Sequence, residues 1–293
     1  MNSSPAARLR ALLDAPGLRV MPCCFDALSA RLIEQAGFEL TFMSGFAVSA
    51  SRLGLPDTGL ISFGEMLDQG RNICAATRLP VIGDGDTGYG NALNVKRTVT
   101  SYAAAGFAGV MIEDQETPKR CGHTRGKRVV SRAEAMSRVR AAVDAREEGA
   151  DILIMARTDA RATDGLDEAV DRCRAFADLG ADILFLEGPR SESEMVAFCE
   201  AVPGPKMANL VEGGDTPLLP PARLEEIGYR IAAYPLTLLS AATAAMLDAL
   251  RALRSGEQPD HAVDFERLRR IVGFEDYDAE AERYRARHFR ENQ

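Results

Sequence analysis

Short apolar runs alternate with amphipathic segments along most of this chain. Runs rich in Val, Ile and Leu are typical of buried strands, whereas apolar positions three and four residues apart predict helices such as Ser131–Glu147 and Leu166–Leu179. The segments that predict strands are Leu18–Pro22, Leu40–Ser44, Val81–Asp84, Gly109–Glu113, Ile152–Arg157, Ile183–Glu187, Lys206–Asn209 and Arg230–Ala233. This alternation predicts a parallel sheet covered by helices.

The strand count predicts how the sheet closes and where its functional residues lie. Eight βα units predict an α/β fold of the (β/α)8 TIM-barrel type, in which the active site lies at the carboxyl ends of the strands. A doubly wound open sheet is the alternative, and it would place a crevice at the same edge. The residues at the predicted strand ends are Ser44, Asp84, Glu113, Arg157, Glu187 and Asn209.

Two of these polar residues have a simpler interpretation, and one does not. Glu187 or Asn209 could cap the helix that follows its strand. Arg157 ends an apolar strand, where a buried guanidinium needs an anionic partner such as a carboxylate held by two hydrogen bonds. That partner could be an Asp or Glu of the protein, or the substrate.

The C-terminal part of the chain has a different pattern. Leu236–Leu253 is apolar and helical, Gly256–Pro259 predicts a break, and Asp264–Arg290 is charged and amphipathic. We therefore predict a barrel domain over residues 1–255 and a helical tail over residues 256–293. The tail is expected to pack on another subunit.

Composition excludes several classes of protein. The chain has 293 residues and a net charge of −8, and its basic residues are interspersed with acids, so no nucleic-acid partner and no membrane are expected. It has no apolar run of transmembrane length and no signal-peptide pattern, which makes the cytoplasm the expected location. Six cysteines without a repeated CxxC spacing argue against structural zinc or a disulfide framework, and we expect them to be reduced.

Carboxylates follow two neighbouring strands and predict a metal site. Asp84 and Asp86 are two residues apart at a strand end, where both would face one side, and Glu113 ends the next strand. Mutual repulsion is unfavourable there unless a hard cation such as Mg²⁺ lies between them. Asp-Gly pairs are also ordinary turn chemistry, so a structural turn is the alternative.

The loop after the fourth predicted strand has the pattern of a reactive thiol. Lys119, Arg120 and His123 surround Cys121, and nearby positive charge lowers a thiol pKa towards neutrality. An exposed basic loop with an incidental cysteine is the alternative. The loop between Glu113 and Ser131 is long enough to act as a lid that excludes water from bound substrate.

Several motifs together resemble the isocitrate lyase/phosphoenolpyruvate mutase superfamily, from about residue 6 to about residue 250. They are Ser44-Gly45, the segment 53–59, Asp84–Gly88, Glu113–Gln115, Lys119–His123 and Ala156–Ala160. The cysteine marks the lyase branch, whereas the mutase and decarboxylase branches lack that thiol. Within this branch the chain is most similar to the 2,3-dimethylmalate lyase/petal death protein group and to 2-methylisocitrate lyases.

The resemblance implies a set of site residues and a cofactor. The implied catalytic residues are Cys121, His123, Lys119, Arg157 and Tyr89; the substrate-binding residues are Ser44, Gly45, Phe46, Asp57, Gly122, Arg157, Glu187, Asn209, Glu212 and Pro235; and the metal ligands are Asp84, Asp86 and Glu113. The expected cofactor is Mg²⁺, with Mn²⁺ as a possible substitute. Cys121 is the expected general acid, and Tyr89, Glu113 or a metal-bound hydroxide could be the base.

The resemblance also bears on substrate and assembly. Phe46 replaces a residue that is small in tricarboxylate cleavers, and Ser240 stands where methylisocitrate lyases tend to have arginine. These departures favour cleavage of a 2-alkyl- or 2,3-dialkylmalate to pyruvate over cleavage of 2-methylisocitrate. Pro235 disfavours an oxaloacetate hydrolase, and Cys121 disfavours a decarboxylase; both activities are further alternatives. A non-catalytic barrel scaffold is a further alternative. A homotetramer with helices exchanged between subunits is implied as well.

Overall fold

A computed structural model of the chain describes residues 3–122 and 126–290, with side chains described as far as residue 285. The strands within these ranges are β1 (Arg19–Cys24), β2 (Thr41–Met43), β3 (Val81–Asp84), β4 (Gly109–Glu113), β5 (Leu153–Thr158), β6 (Ile183–Leu186), β7 (Met207–Asn209) and β8 (Ile231–Tyr234). Each lies within two residues of its predicted bounds, because apolar runs between Gly, Pro and polar residues define them.

Helices follow the strands in the expected alternation. They are α1 (Pro5–Asp14), α2 (Ala27–Gln35), α3 (Gly45–Val48), α4 (Phe63–Ala76), α5 (Ala92–Ala104), α6 (Arg132–Glu147), α7 (Ala160–Thr163), α8 (Leu166–Asp178), α9 (Glu192–Ala201), α10 (Pro221–Ile227), α11 (Thr237–Ser255), α12 (Phe265–Val272) and α13 (Phe274–Arg290). A π-helical turn, Ser49–Leu53, follows α3. Side chains cap several helices: Ser62 and Glu65, for example, form a reciprocal capping box at the start of α4.

The strands form a nearly closed parallel barrel. Their order is β6-β5-β4-β3-β2-β1-β8-β7, and a parallel bridge between Leu184 and Lys206 joins the two outer strands. The predicted (β/α)8 barrel is therefore confirmed, and the open doubly wound sheet is wrong. Parallel register places Glu113 beside Arg157, so the carboxyl ends of β4 and β5 lie at the same edge.

The amino end of the barrel is covered by α1. Ser4 caps this helix and Pro5 begins it, which is the expected chemistry of a helix start. Leu9 and Leu13 are buried in the same apolar cluster as the inward-facing residues of the strands. Leu9 Cδ2 lies 3.2 Å from the position of a Cβ built on Gly109, the first residue of β4. Access to the barrel interior is therefore from the carboxyl ends.

The chain divides into two compact units, Met1–Leu239 and Ser240–Gln293. In the second unit, the charged segment predicted as Asp264–Arg290 is two helices, α12 and α13, because Gly273 adopts a left-handed φ of 89° that ends the first of them. The predicted break at Gly256–Pro259 follows the end of α11. The domain boundary at residue 255 and the exchange of helices between subunits stay predictions.

No helix in the described ranges is long and apolar enough to cross a bilayer.

Candidate active site

A pocket opens at the carboxyl ends of the barrel strands and contains most of the predicted site residues. Its polar lining includes Ser44, Asp57, Asp84, Glu113, Lys119, Arg120, Cys121, Gly122, Arg157, Glu187 and Asn209. Its apolar lining includes Cys23, Phe42, Phe46, Met111, Phe185, Met207, Val211, Ala233, Pro235 and Leu236. Charged groups thus share one cavity with an apolar wall, as the strand-end pattern predicts.

Four of the predicted residues do not line this pocket. Gly45 contacts Asp84, and its N–H donates to Asp84 Oδ2 over 3.2 Å. Tyr89 packs against the ring of Phe63, with centroids 5.5 Å apart, and burial raises the pKa of its phenol well above the ordinary value. Glu212 is exposed and accepts a hydrogen bond from Thr237. The fourth is Asp86, whose carboxylate turns to Lys119. His123 lies outside the described residues.

Buried carboxylates surround Lys119. Its Nζ lies 2.6 Å from Asp57 Oδ1 and 2.8 Å from Asp86 Oδ1, and all three side chains are almost fully buried. Although burial lowers the pKa of Lys119, the charges of Asp86, Asp84 and Asp57 raise it well above the ordinary value. The lysine is therefore a fixed positive charge. It joins the loop that carries Cys121, here called the thiol loop, to the strand-end carboxylates.

The site carries more negative charge than its cations offset. Burial, reinforced by the charge of Asp86, raises the pKa of Asp84 to about 6. Burial also raises the pKa of Glu113 well above its ordinary value although the charge of Arg157 lowers it, and Glu113 Oε1 is buried without a hydrogen-bond partner. Such carboxylates are stabilised by a further positive charge.

These oxygens fit a hard divalent cation in their chemistry and charge. Carboxylates are the ligands that Mg²⁺ and similar ions prefer, and the unpaired Glu113 oxygen gives such an ion a place to bind. Within the described residues, no three His, Cys, Asp or Glu side chains already converge as a ligand group. The physical reason is that Lys119 holds Asp86 and Arg157 holds Glu113.

Arg157 is held by three protein carboxylates. Its Nε and Nη2 donate to the two oxygens of Asp159 over 2.8 and 3.1 Å, and its guanidinium also lies 3.3 Å from Glu113 and 3.3 Å from Glu187. The face of its guanidinium lies 5.1 Å from the centroid of the Phe185 ring. In this structure the anionic partners expected for Arg157 are therefore side chains of the protein.

The thiol loop packs directly on this ion-pair cluster. Cys121 is half-buried at the pocket wall, and Gly122 is buried beside it. A Cβ built on Gly122 would lie 2.6 Å from Arg157 Nη2 and 2.7 Å from Glu187 Oε2, so only glycine allows the backbone to approach so closely. All six cysteines are outside disulfides, as expected. Cys121 and Cys23 both line the pocket, but Cys23 is fully buried whereas Cys121 is half-buried.

Several functional contacts were not anticipated from the sequence. Asp159, the bidentate partner of Arg157, follows it by two residues within the motif Ala156–Ala160, and this spacing was the available signal. Gln115 and Lys127 contact the backbone on the two sides of Cys121. Gln115 belongs to the motif Glu113–Gln115, which was the signal for this residue, whereas no motif includes Lys127. Phe185 lies two residues before Glu187, a spacing that places both on the inner face of a strand.

The chain is similar to known proteins over most of its length. Residues 9–254 match the family model described as phosphoenolpyruvate phosphomutase. The chain is 45% identical to 2,3-dimethylmalate lyase of Eubacterium barkeri over 92% of its own length and 94% of that protein. It is 41% identical to a chloroplastic carboxyvinyl-carboxyphosphonate phosphorylmutase of Arabidopsis thaliana (94% and 82% covered) and 42% identical to a probable 2-methylisocitrate lyase 2 of Corynebacterium glutamicum (92% and 89% covered).

Solved structures give the same result. Oxaloacetate acetylhydrolase bound to 3,3-difluorooxalacetate superimposes with a TM-score of 0.90 at 39% identity, over 94% of this chain and 95% of that one. Phosphonopyruvate hydrolase bound to oxalate and Mg²⁺ has a TM-score of 0.85 at 30% identity, over 96% and 99%. The chain belongs to the phosphoenolpyruvate mutase/isocitrate lyase superfamily, and it is an enzyme whose close relatives include named lyases. The predicted superfamily and enzyme class are therefore confirmed.

Proposed function

We propose that this protein is a Mg²⁺-dependent carbon–carbon lyase that cleaves a 2-alkyl- or 2,3-dialkylmalate to a 2-oxo acid and a carboxylate. With 2,3-dimethylmalate, whose 2-alkyl group is methyl, the 2-oxo acid is pyruvate. The observation that carries the proposal is that the thiol of Cys121, the carboxylates of Asp84 and Glu113, and an apolar wall line one pocket. The 45% identity to a 2,3-dimethylmalate lyase over most of both chains supports the substrate class.

The metal would be held by Asp84, Asp86 and Glu113, partly through water, with Mn²⁺ as a substitute. When bound, such a cation lowers the pKa of a 2-hydroxyl group and offsets the charge of a substrate carboxylate. It would also offset the charge of the buried carboxylates, among them Asp84, whose pKa is raised to about 6 by burial and then by the charge of Asp86. The cavity is lined by four carboxylates, Asp57, Asp84, Glu113 and Glu187, and by three cationic side chains, Lys119, Arg120 and Arg157. A doubly charged malate would add to this excess of negative charge, which a bound cation would offset.

Two side chains of the protein act in the reaction: one removes a proton from the substrate and the other donates a proton to it. A base removes the proton of the 2-hydroxyl, the C2–C3 bond breaks, C2 becomes the ketone of pyruvate, and the bonding electrons remain on C3 as an enediolate. Cys121 then donates its proton to C3. Of the two side chains considered as base, Glu113 lines the pocket and Tyr89 does not, so we assign this role to Glu113.

Other groups orient substrate and exclude water. Lys119 and Arg157 are the fixed positive charges nearest to the carboxylates, and Ser44 and Asn209 offer polar contacts on the same wall. His123 as a source of positive charge beside the thiol, and the loop between Glu113 and Ser131 as a lid, stay predictions. The N–H groups of Ser44 and Gly45 already donate to Cys24 O and Asp84 Oδ2, so contacts from these amides to substrate would require exchange of partners.

The apolar lining favours an alkyl group over a third carboxylate. Phe46, Val211, Pro235 and Leu236 line the pocket, and an ionised carboxylate among them would lack a partner. Ser240 belongs to the second unit, and its predicted role in excluding 2-methylisocitrate stays a prediction.

The second candidate function is that of a 2-methylisocitrate lyase, because a probable enzyme of that name is 42% identical to this chain. Oxaloacetate hydrolysis is a third, on the likeness to oxaloacetate acetylhydrolase.

Assembly as a homotetramer is proposed on separate grounds. Helix α11 exposes Met246, Leu247, Leu250 and Leu253, which form an apolar stripe at helical spacing. A second copy of the chain is the proposed cover for this stripe. Sedimentation equilibrium measures the mass directly: we expect a tetramer at micromolar concentration, and a monomer or a dimer would contradict the proposal.

The test of function is release of 2-oxo acid from a panel of substrates with Mg²⁺ or EDTA. The panel contains 2,3-dimethylmalate, citramalate, 2-methylisocitrate, isocitrate and oxaloacetate. We expect pyruvate from a dialkylmalate, its loss with EDTA, and a roughly 10²- to 10⁴-fold slower turnover in Cys121→Ala. Cys199→Ala, which removes a half-buried thiol outside the pocket lining, is the matched control. Preference for 2-methylisocitrate would select the second candidate, and no cleavage by folded, Mg²⁺-loaded protein would contradict the lyase.

A further inference from the structure

The backbone just before Cys121 is held by a side chain for which the proposed chemistry has no role. Gln115 Nε2 donates to Arg120 O over 2.8 Å, and Gln115 Oε1 accepts from Arg120 N over 2.9 Å. The amide thus satisfies both backbone polar groups of one residue, as a neighbouring strand would. Gln115 is 1% exposed, so water competes little for these two bonds.

The backbone just after Cys121 is held by a second side chain. Lys127 Nζ donates to Gly122 O and lies 3.0 Å from Asp159 Oδ1. The lysine side chain is only 7% exposed, and its carboxylate partner is fully buried. Asp159 in turn holds Arg157 by two hydrogen bonds, so Lys127 ties the thiol loop to the same cluster on which Gly122 packs.

These contacts fix the thiol relative to the strand ends. Arg120 and Gly122 are the two sequence neighbours of Cys121. The backbone of each is hydrogen-bonded by a buried side chain, that of Gln115 or Lys127, which does not itself line the pocket. Proton transfer depends steeply on distance, and a displacement of about 1 Å can cost roughly 10²-fold in rate. A loop residue that acts as an acid therefore needs such anchors.

We propose that Gln115 and Lys127 are positioning residues that clamp the backbone on both sides of Cys121 and so place its thiol at the pocket wall. The inference rests on the proposed function, since it takes Cys121 as the acid. The clamp itself is a property of the folded chain and can be measured without substrate.

The test compares Gln115→Ala and Lys127→Met with wild type in two assays. The first is the rate at which trypsin cuts the Arg120–Cys121 bond in the folded protein, followed by mass spectrometry. We expect a roughly tenfold faster cut in each variant, because loss of the anchoring hydrogen bonds raises the population of the open loop. The second is steady-state cleavage of the dialkylmalate, in which we expect kcat to fall roughly 10- to 100-fold with KM nearly unchanged.

Matched controls separate the clamp from general weakening of the fold. Gln69→Ala removes another amide that donates to a backbone oxygen, that of Phe25, over 2.8 Å. Lys96→Met removes another lysine that pairs with a carboxylate, that of Glu148. Both should leave the tryptic rate at Arg120 and kcat as in wild type. Lys127→Arg, which retains positive charge and donors, should restore most of the protection.

The outcomes are distinct. Wild-type tryptic rates in folded Gln115→Ala and Lys127→Met would overturn the clamp, and so would faster cutting with unchanged kcat. If Gln115→Ala does not fold, Gln115→Glu, which keeps an acceptor for the Arg120 N–H but cannot donate to its carbonyl, replaces it under the same criteria. If Lys127→Met does not fold, Lys127→Gln replaces it. If wild type cleaves no substrate, the proposed function fails, while the tryptic rates still decide whether the two residues clamp the loop.

Discussion

Two carboxylates that are adjacent in the sequence, Glu113 and Asp114, have opposite surroundings although both are almost fully buried. Glu113 lines the pocket, and its Oε1 has no hydrogen-bond partner. Asp114 faces the surrounding helices, and it accepts from Thr158 Oγ1 over 2.6 Å, from Arg172 Nη1 over 2.9 Å and from Asp159 N over 2.9 Å.

The difference separates a structural carboxylate from a functional one. A buried group with all its oxygens satisfied rigidifies the fold, whereas a buried oxygen without a partner calls for a ligand or a chemical role. Alternation along the strand end directs these neighbours to opposite sides of the barrel wall. Burial raises the pKa of both groups, so the pKa direction alone would not distinguish them.

The largest expected effect is on folding, from removal of the satisfied carboxylate. Asp114→Ala leaves the Arg172 guanidinium and the Thr158 hydroxyl buried without their partner, and we expect a loss of about 3–5 kcal/mol in the free energy of unfolding. Urea denaturation followed by circular dichroism measures it. Asp171→Ala, which removes an exposed ion-pair carboxylate, should cost less than about 1 kcal/mol. An equally small loss of unfolding free energy in Asp114→Ala would contradict the structural role given to Asp114.

Substitution of Glu113, the carboxylate with an unpaired oxygen, is expected to lower turnover and to leave stability nearly unchanged. Glu113→Gln preserves shape, and Arg157 retains Asp159 as its bidentate partner, so the free energy of unfolding should change by less than about 1.5 kcal/mol. Cleavage of the dialkylmalate should slow roughly 10²-fold or more, because Glu113 is both the proposed base and a proposed ligand of the metal. A variant with near wild-type turnover would remove Glu113 from the chemistry.

Metal binding sharpens the same comparison. Saturating Mg²⁺, at about 100 times its Kd, should stabilise the folded protein by roughly 2.7 kcal/mol, which thermal unfolding records as a higher Tm. Asp84→Asn should lose most of that shift, whereas Asp171→Asn should keep it. If Mg²⁺ raises the Tm of both variants equally, the ion binds elsewhere than at the strand ends.

The sequence predicted the barrel and the strand-end residues well, for identifiable reasons. Val81–Asp84 and Gly109–Glu113 are short apolar runs bounded by Gly, Pro and carboxylates, and the structure reproduces their bounds. The position of Tyr89 was not predictable, since its left-handed φ of 60° turns the chain so that its ring packs on Phe63. The anchors of the thiol loop depend on contacts across the fold, such as Lys127 with Asp159, which local patterns do not record.

The smallest expected effect concerns the cysteines. Burial raises the pKa of Cys74 and of Cys199 to about 12, and Cys23, Cys24 and Cys173 are fully buried. Cys121, half-buried beside cationic groups, should therefore react with iodoacetamide at pH 8 at least tenfold faster than any other thiol. Peptide mass spectrometry after timed quenching gives the rate at each site. Equal labelling of Cys74 or Cys199 would show that Cys121 has no special reactivity.

The most direct test of the account is the fate of the transferred proton. Cleavage of 2,3-dimethylmalate in D₂O, with Mg²⁺, should give propionate carrying one deuterium at C2 in a single configuration, because the thiol of Cys121 delivers it to one face. In Cys121→Ala the residual product should form roughly 10²- to 10⁴-fold more slowly and with both configurations, since solvent then supplies the proton. Wild-type rate and stereospecific deuteration in Cys121→Ala would contradict the assignment of this thiol as the acid.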